Sequence, residues 1–187
     1  LEVTNAAGCQ NQIQQDVNVY ANPTVTVADS QICEGGQTTL TAPNGFSSYS
    51  WAPGGNTQSI NVNPVTTSTY TITVTDSHNC LGSDPVLVTV NPLPVANAGT
   101  AQTVCEGTAV NLNGAGGASY VWTPGNLNTQ NVNVTPATTT TYTLTVTSAA
   151  GCIDADQVTI TVNPMPTVDA GNGFSVCKGS SVTLAAS

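Results

Sequence analysis

Arginine is absent from the 187 residues and lysine occurs once, as Lys178, against ten acidic residues. A chain so short of cations cannot neutralise phosphates, which excludes nucleic acid and anionic membrane surfaces as partners. Histidine also occurs once, as His78, and no Cys-x-x-Cys or paired histidine is present, so a zinc site has no ligand set to draw on. No run approaches the roughly eighteen apolar residues of a membrane-spanning helix, so direct membrane insertion is not expected. Charged residues amount to only 6%. In a disordered chain β-branched residues would be scarce too, yet here Val, Ile and Thr dominate regular alternations. The composition is that of a folded, neutral-polar β protein whose surface is made of Thr, Asn, Ser and Gln.

Landmarks recur every seventy-two residues. Cys33, Cys105 and Cys177 stand in register, as do Cys80 with Cys152, Leu40 with Leu112 and Leu184, and Tyr70 with Tyr142, while Trp51 matches Trp122 after a one-residue slip. Two complete repeats are expected, at 23–91 and 92–163. Residues 1–22 match the last two strands of a repeat and 164–187 the first two of another, so an excerpt of a longer array is expected.

Tyr142, Leu144 and Val146 alternate with Thr141, Thr143, Thr145 and Thr147, and Tyr70, Ile72 and Val74 alternate likewise with threonines. A period of two places the apolar set on one face of a strand. Further alternations, with turn clusters such as Pro53-Gly54-Gly55-Asn56 between them, predict strands near 24–27, 38–42, 49–51, 59–63, 70–75 and 86–90 in the first repeat. Five to seven short strands with one apolar face indicate an all-β fold: tandem Ig-like antiparallel β-sandwich domains in a linear array. Trp51, Trp122, Tyr70 and Tyr142 are the expected structural core, the tyrosines standing where a tyrosine corner would sit.

The stretches PVANAGTAQTVCEGTAVNLNGAGG, SYVWTPG, TPATTTTYTLTVTSAAGC and DQVTITVNP resemble the Ig-like and PKD-like repeats of very large Bacteroidetes surface proteins, including gliding-motility-associated adhesins exported by type IX secretion. The resemblance covers essentially the whole chain. It implies an extracellular, cell-surface location and a modular role, without naming one protein.

Cys9, Cys33, Cys80, Cys105, Cys152 and Cys177 are the disulfide candidates, and a disulfide framework implies an oxidising compartment. Pairing Cys33 with Cys80 inside a repeat is the default, closing a loop that in the chain-entropy model stabilises by roughly 4 kcal/mol. Strand order argues against it, because it sets the two at opposite ends of the sandwich, about 25 Å apart for strands of seven or eight residues. Pairing Cys33 with Cys152 across a repeat junction, pairing Cys80 with Cys105, and free thiols all remain open.

No catalytic residue is expected, and no cofactor. His78, beside Asp76 and Cys80, could be imagined as a Cys-His pair, but position 150 of the second repeat is alanine. Asp154 with Asp156, or Asp76 with Asp84, are weak Ca2+ candidates, since Ca2+ prefers clustered carboxylates and carbonyls; solvated turn acids are the simpler reading. Threonine faces could stack on a polymer, Trp51 and Trp122 could form sugar-stacking platforms, and Asn133-Val134-Thr135 fits a glycosylation sequon. Strand-facing Thr and core Trp are the plainer alternatives. The expected function is a non-catalytic extracellular stalk or filament shaft with neighbouring repeats of the same chain as partners, and other copies in a fibre or a surface glycan as further ones. The alternative is a glycan-binding accessory region of a secreted polysaccharide-degrading enzyme.

Overall fold

A computed structural model describes residues 1–168, 175–179, 181 and 183. The described residues hold fourteen strands, and the chain divides into two compact units, Leu1–Asn91 and Pro92–Ser187. Most of the strand pair expected in 164–187, including the positions around Leu184, lies outside the described residues.

In the first unit, β1 (Glu2–Thr4) and β2 (Gln10–Gln12) form an isolated antiparallel hairpin. Six strands follow: β3 (Ser30–Cys33), β4 (Thr38–Thr41), β5 (Ser48–Ala52), β6 (Ser59–Val62), β7 (Ser68–Thr75) and β8 (Leu81–Asn91). One sheet runs β3–β8–β7–β5, and β4–β6 forms the other. The second unit repeats the pattern with β9 (Gln102–Cys105), β10 (Val110–Asn113), β11 (Ser119–Thr123), β12 (Asn131–Val134), β13 (Thr140–Thr147) and β14 (Ile153–Asn163); its sheets are β9–β14–β13–β11 and β10–β12. In each, a short early strand pairs in parallel with the last one while the remaining pairings are antiparallel. Two such sheets closed over one core make an Ig-like β-sandwich.

The Thr/apolar alternation fixes the inward face. Tyr70, Ile72 and Val74 of β7 meet Val86 and Val88 of β8, Trp51 of β5, and Leu40 and Val62 of the opposite sheet in one cluster. The second unit builds the same cluster from Tyr142, Leu144, Val146, Val158, Ile160, Trp122, Leu112 and Val132. Each fully buried side chain of this size contributes about 1.5–3 kcal/mol.

Two strand expectations are corrected. Residues 24–27 form no ladder; the Val27 N–H instead donates to the Asp84 carboxylate at 2.7 Å, and the early strand lies later, at β3. The last strand is eleven residues long, from Leu81, where 86–90 was expected. Asp84 and Pro85 break the alternation there without ending the strand. Pro85 pairs opposite Thr71, and β3 joins β8 only from Val88 onward, so the missing N–H falls on an open edge.

The hairpin turns joining β1–β2, β7–β8 and β13–β14 are alike. Asn5, Asp76 and Ser148 donate their N–H to the carbonyls of Cys9, Cys80 and Cys152 at 3.0, 3.0 and 2.8 Å. Each side chain also accepts from that cysteine's N–H. The residue before each cysteine is left-handed: Gly8 at φ +82°, Asn79 at +63° and Gly151 at +82°. Gly and Asn are the residue types that tolerate this region.

Candidate functional site

The indoles expected to choose between a sugar platform and a core residue are in the core. Trp51 is 4% exposed and Trp122 fully buried, and their Nε1–H groups donate to the carbonyls of Thr57 at 3.1 Å and Gln130 at 3.4 Å. Tyr70 and Tyr142 are buried beside them, and burial raises the Tyr142 phenol above its ordinary pKa. Neither indole is available for stacking on a glycan. Tyr49 and Tyr120, the partly buried neighbours along β5 and β11, reach the carbonyls of Pro43 at 3.1 Å and Gly117 at 2.7 Å.

The four carboxylates considered for Ca2+ are engaged by backbone amides. Asp84 takes Val27 N–H, Asp154 takes Ala96 N–H at 2.8 Å, and Asp156 takes Ala98 N–H at 2.8 Å. Asp76 caps its own turn through the N–H groups of His78 at 2.8 Å and Cys80 at 2.9 Å. Asp154 and Asp156 lie side by side on one face of β14, whereas Asp76 and Asp84 serve different segments and are not brought together. Asp29, which composition alone did not single out, does the same work by accepting Leu87 N–H at 2.8 Å. The acids on the last strands thus fasten the irregular first segment of each sandwich to its sheet, replacing ladder bonds with charge-assisted ones.

The Asp156 carboxyl is held below the usual carboxylate range, chiefly by the Ala98 N–H and then by that of Gln157, with a small opposing push from burial. A carboxyl depressed in the folded state stabilises it above the unfolded pKa of about 3.9, and that contribution is lost as pH falls through the folded value. The second repeat should therefore lose urea resistance below about pH 4. Asp156→Asn should start lower at pH 7 and lose less on acidification; parallel pH profiles for the two proteins would remove this role from Asp156.

His78 is about half exposed, with Nδ1 3.9 Å from Asp76 Oδ2. Its ring stacks on Tyr20 of the leading segment, with centroids 3.8 Å apart and planes 18° from parallel. It serves as a platform for that tyrosine. Asn133 of the sequon is exposed on β12.

Cys33 and Cys152 are each in disulfide form, while Cys9, Cys80, Cys105 and Cys177 carry free thiols. The default pairing of Cys33 with Cys80 is not formed, nor is Cys80 with Cys105. Cys33 stands opposite Asn91 at one end of β8, and Cys80 immediately precedes Leu81 at the other end of that eleven-residue strand. The separation is about 35 Å along the strand, against the roughly 7 Å between Cα atoms that a disulfide spans. The second repeat places Cys105 opposite Asn163, and Cys152 immediately before Ile153, in the same way.

No family model matches the chain, and no curated protein matches it. Among solved structures, the chain is similar to the Drosophila OTK extracellular domains 3–5, at 13% identity over 73% of this chain and 60% of that one, TM-score 0.43. It is also similar to the three N-terminal domains of the bacteriophage RB49 highly immunogenic outer capsid protein, at 18% identity over 74% of this chain and 59% of that one, TM-score 0.39. DIP-gamma IG1+IG2 is matched at 10% identity over 75% of this chain and 98% of that one, TM-score 0.36. The chain spans about 60% of the first two.

Sequence reasoning missed the amide-binding role of the strand acids and the shared turn cap. A signal for the cap was present: Asn5, Asp76 and Ser148, all side chains that bond their own turns, precede a cysteine by four residues in every copy.

Proposed function

We propose that this chain is part of a non-catalytic extracellular stalk or filament shaft, built from repeats at 23–91 and 92–163 with portions of two more at 1–22 and 164–187, which projects or connects an adhesive element at a bacterial surface. The observation that carries the reading is that both sandwiches bury their indoles and spend their strand carboxylates on backbone amides. What faces solvent is mainly Thr, Asn, Ser and Gln, with few groups suited to chemistry. The resemblance of the quoted stretches to repeats of Bacteroidetes gliding-motility adhesins supports the surface location and export by type IX secretion. Such a module acts mechanically, by holding its shape and connecting what lies at its two ends.

Tryptophan fluorescence tests this. The emission should be blue-shifted, resistant to acrylamide, and unchanged by a panel of soluble polysaccharides. Emission at exposed wavelengths, quenched by one glycan and not by others, would favour a glycan-binding accessory region and sink the stalk.

A further inference from the structure

Asn-Gly occurs three times in the chain, at 44–45, 113–114 and 172–173. In this dipeptide the backbone nitrogen that follows the asparagine reaches its side-chain amide with least obstruction, because glycine has no Cβ beside the attacking atom. The fold sets the first two copies in opposite circumstances, and the third lies outside the described residues.

Asn44 and Gly45 are exposed in the loop between β4 and β5. Gly45 has φ +103° and open space where a Cβ would stand. Among the described residues no hydrogen bond engages its N–H or the Asn44 side chain. The loop is fastened to either side of them, by the Tyr49 phenol donating to the Pro43 carbonyl at 3.1 Å and by the Ser47 N–H donating to the Thr75 carbonyl at 2.7 Å. Asn113, in contrast, closes β10 opposite Asn131. The buried Gly114 after it donates its N–H to the Gln130 carbonyl at 2.9 Å, and its own carbonyl accepts from Gln130 Nε2 at 2.9 Å. Swinging the Gly114 nitrogen onto the Asn113 side chain would turn that peptide out of both bonds. Four residues before Tyr120, as Gly45 stands four before Tyr49, the second repeat has Ala115-Gly116, so its loop offers no asparagine.

We propose that Asn44 is a site of spontaneous covalent modification in the folded protein, and that the fold protects Asn113 from the same reaction. The Gly45 nitrogen gives up its proton and bonds to Asn44 Cγ, ammonia leaves, and a succinimide ring results. Water then opens the ring at one of its two carbonyls. One opening leaves aspartate and the other isoaspartate, whose main chain runs through Cβ. One water is consumed and one ammonia released, with no oxidant or reductant. Either product carries a new carboxylate, which takes the formal net charge from −9 to −10 (−9 − 1). The bonds at Pro43 and Ser47 confine the extra backbone atom of isoaspartate to the loop, so β4 and β5 keep their register. This chemistry is independent of the stalk reading.

Incubating the 187-residue protein in mildly alkaline buffer, native and in urea, and following its chymotryptic peptides by mass tests the assignment. In the native protein the Asn44 peptide should gain about 1 Da more than about tenfold faster than the Asn113 peptide, which must first open its hydrogen bonds. In urea, where the same dipeptide is free at both places, the two rates should come within about threefold. Aspartyl and isoaspartyl products should both appear at Asn44, told apart by an Asp-directed protease that cuts only at the former. Gly45→Ala should slow conversion of Asn44 several-fold and leave Asn113 unchanged. Equal native rates at the two asparagines, an Asn113 that stays slow in urea, an aspartyl product alone, as direct hydrolysis would give, or a Gly45→Ala rate equal to the parent's would each overturn it. None of these outcomes bears on the fluorescence test of the stalk.

Discussion

Trp122→Ala is expected to unfold the second repeat under conditions in which the first stays folded. The indole is fully buried among Leu112, Leu144 and Val146, and its removal leaves a cavity in a core too small to close over it. Truncations of this kind cost about 3–5 kcal/mol. A repeat of 72 residues has roughly 4–11 kcal/mol in total. Urea titration should show two separated transitions in the variant, and Trp51 as its one remaining tryptophan should report only the later. Ile72→Val, which removes one methyl group from the other core, should cost about 0.5–1.5 kcal/mol. A Trp122→Ala midpoint close to that of the parent would mean that the indole is not packed as described.

Gly116→Ala should be nearly as damaging, and Gly45→Ala much less so. Both glycines have φ +103°, a conformation that costs an L-residue about 1–2 kcal/mol. At Gly45 an added Cβ meets no atom within 4 Å, whereas at Gly116 it overlaps the carbonyl oxygen of Val95. That oxygen sits on backbone fixed by the Ala96 and Ala98 bonds to Asp154 and Asp156, so it cannot retreat cheaply. Relief of such an overlap adds about 1–3 kcal/mol, giving roughly 2–5 kcal/mol for Gly116→Ala against about 1–2 for Gly45→Ala. Denaturation midpoints compare the two directly, and equal shifts would refute the close approach.

The central strands were legible because Thr and apolar residues alternate without interruption through Thr69–Thr75 and Thr141–Thr147. The indoles were legible because a large aromatic in such a strand, two residues from a tyrosine, belongs inside. β3 and β9 were not: SQIC and QTVC are four residues each, too short to display a period, and their partner is a parallel strand more than fifty residues away. The last strands were read too short because Asp84-Pro85, and Asp154 with Asp156, interrupt the apolar pattern. That error also underestimated the distance from Cys33 to Cys80, about 25 Å where eleven residues give about 35 Å. The carboxylates illustrate a more general limit. An acid's amide partner lies 57 or 58 residues earlier in the chain, and local sequence reads such an acid only as solvated or as a cation ligand.

How the acids are used also bears on where such a protein can work. Among the described residues the one basic side chain near a carboxylate is His78, with Nδ1 3.9 Å from Asp76 Oδ2; the carboxylates on β8 and β14 bind amide dipoles instead of cations. Mobile ions weaken attraction between opposite charges over a Debye length of about 8 Å at physiological ionic strength, but a carboxylate held directly on an N–H leaves them little to screen. Rising salinity would instead damp the mutual repulsion of a chain with net charge −9. Sandwiches held together this way keep their cohesion from fresh water to brine.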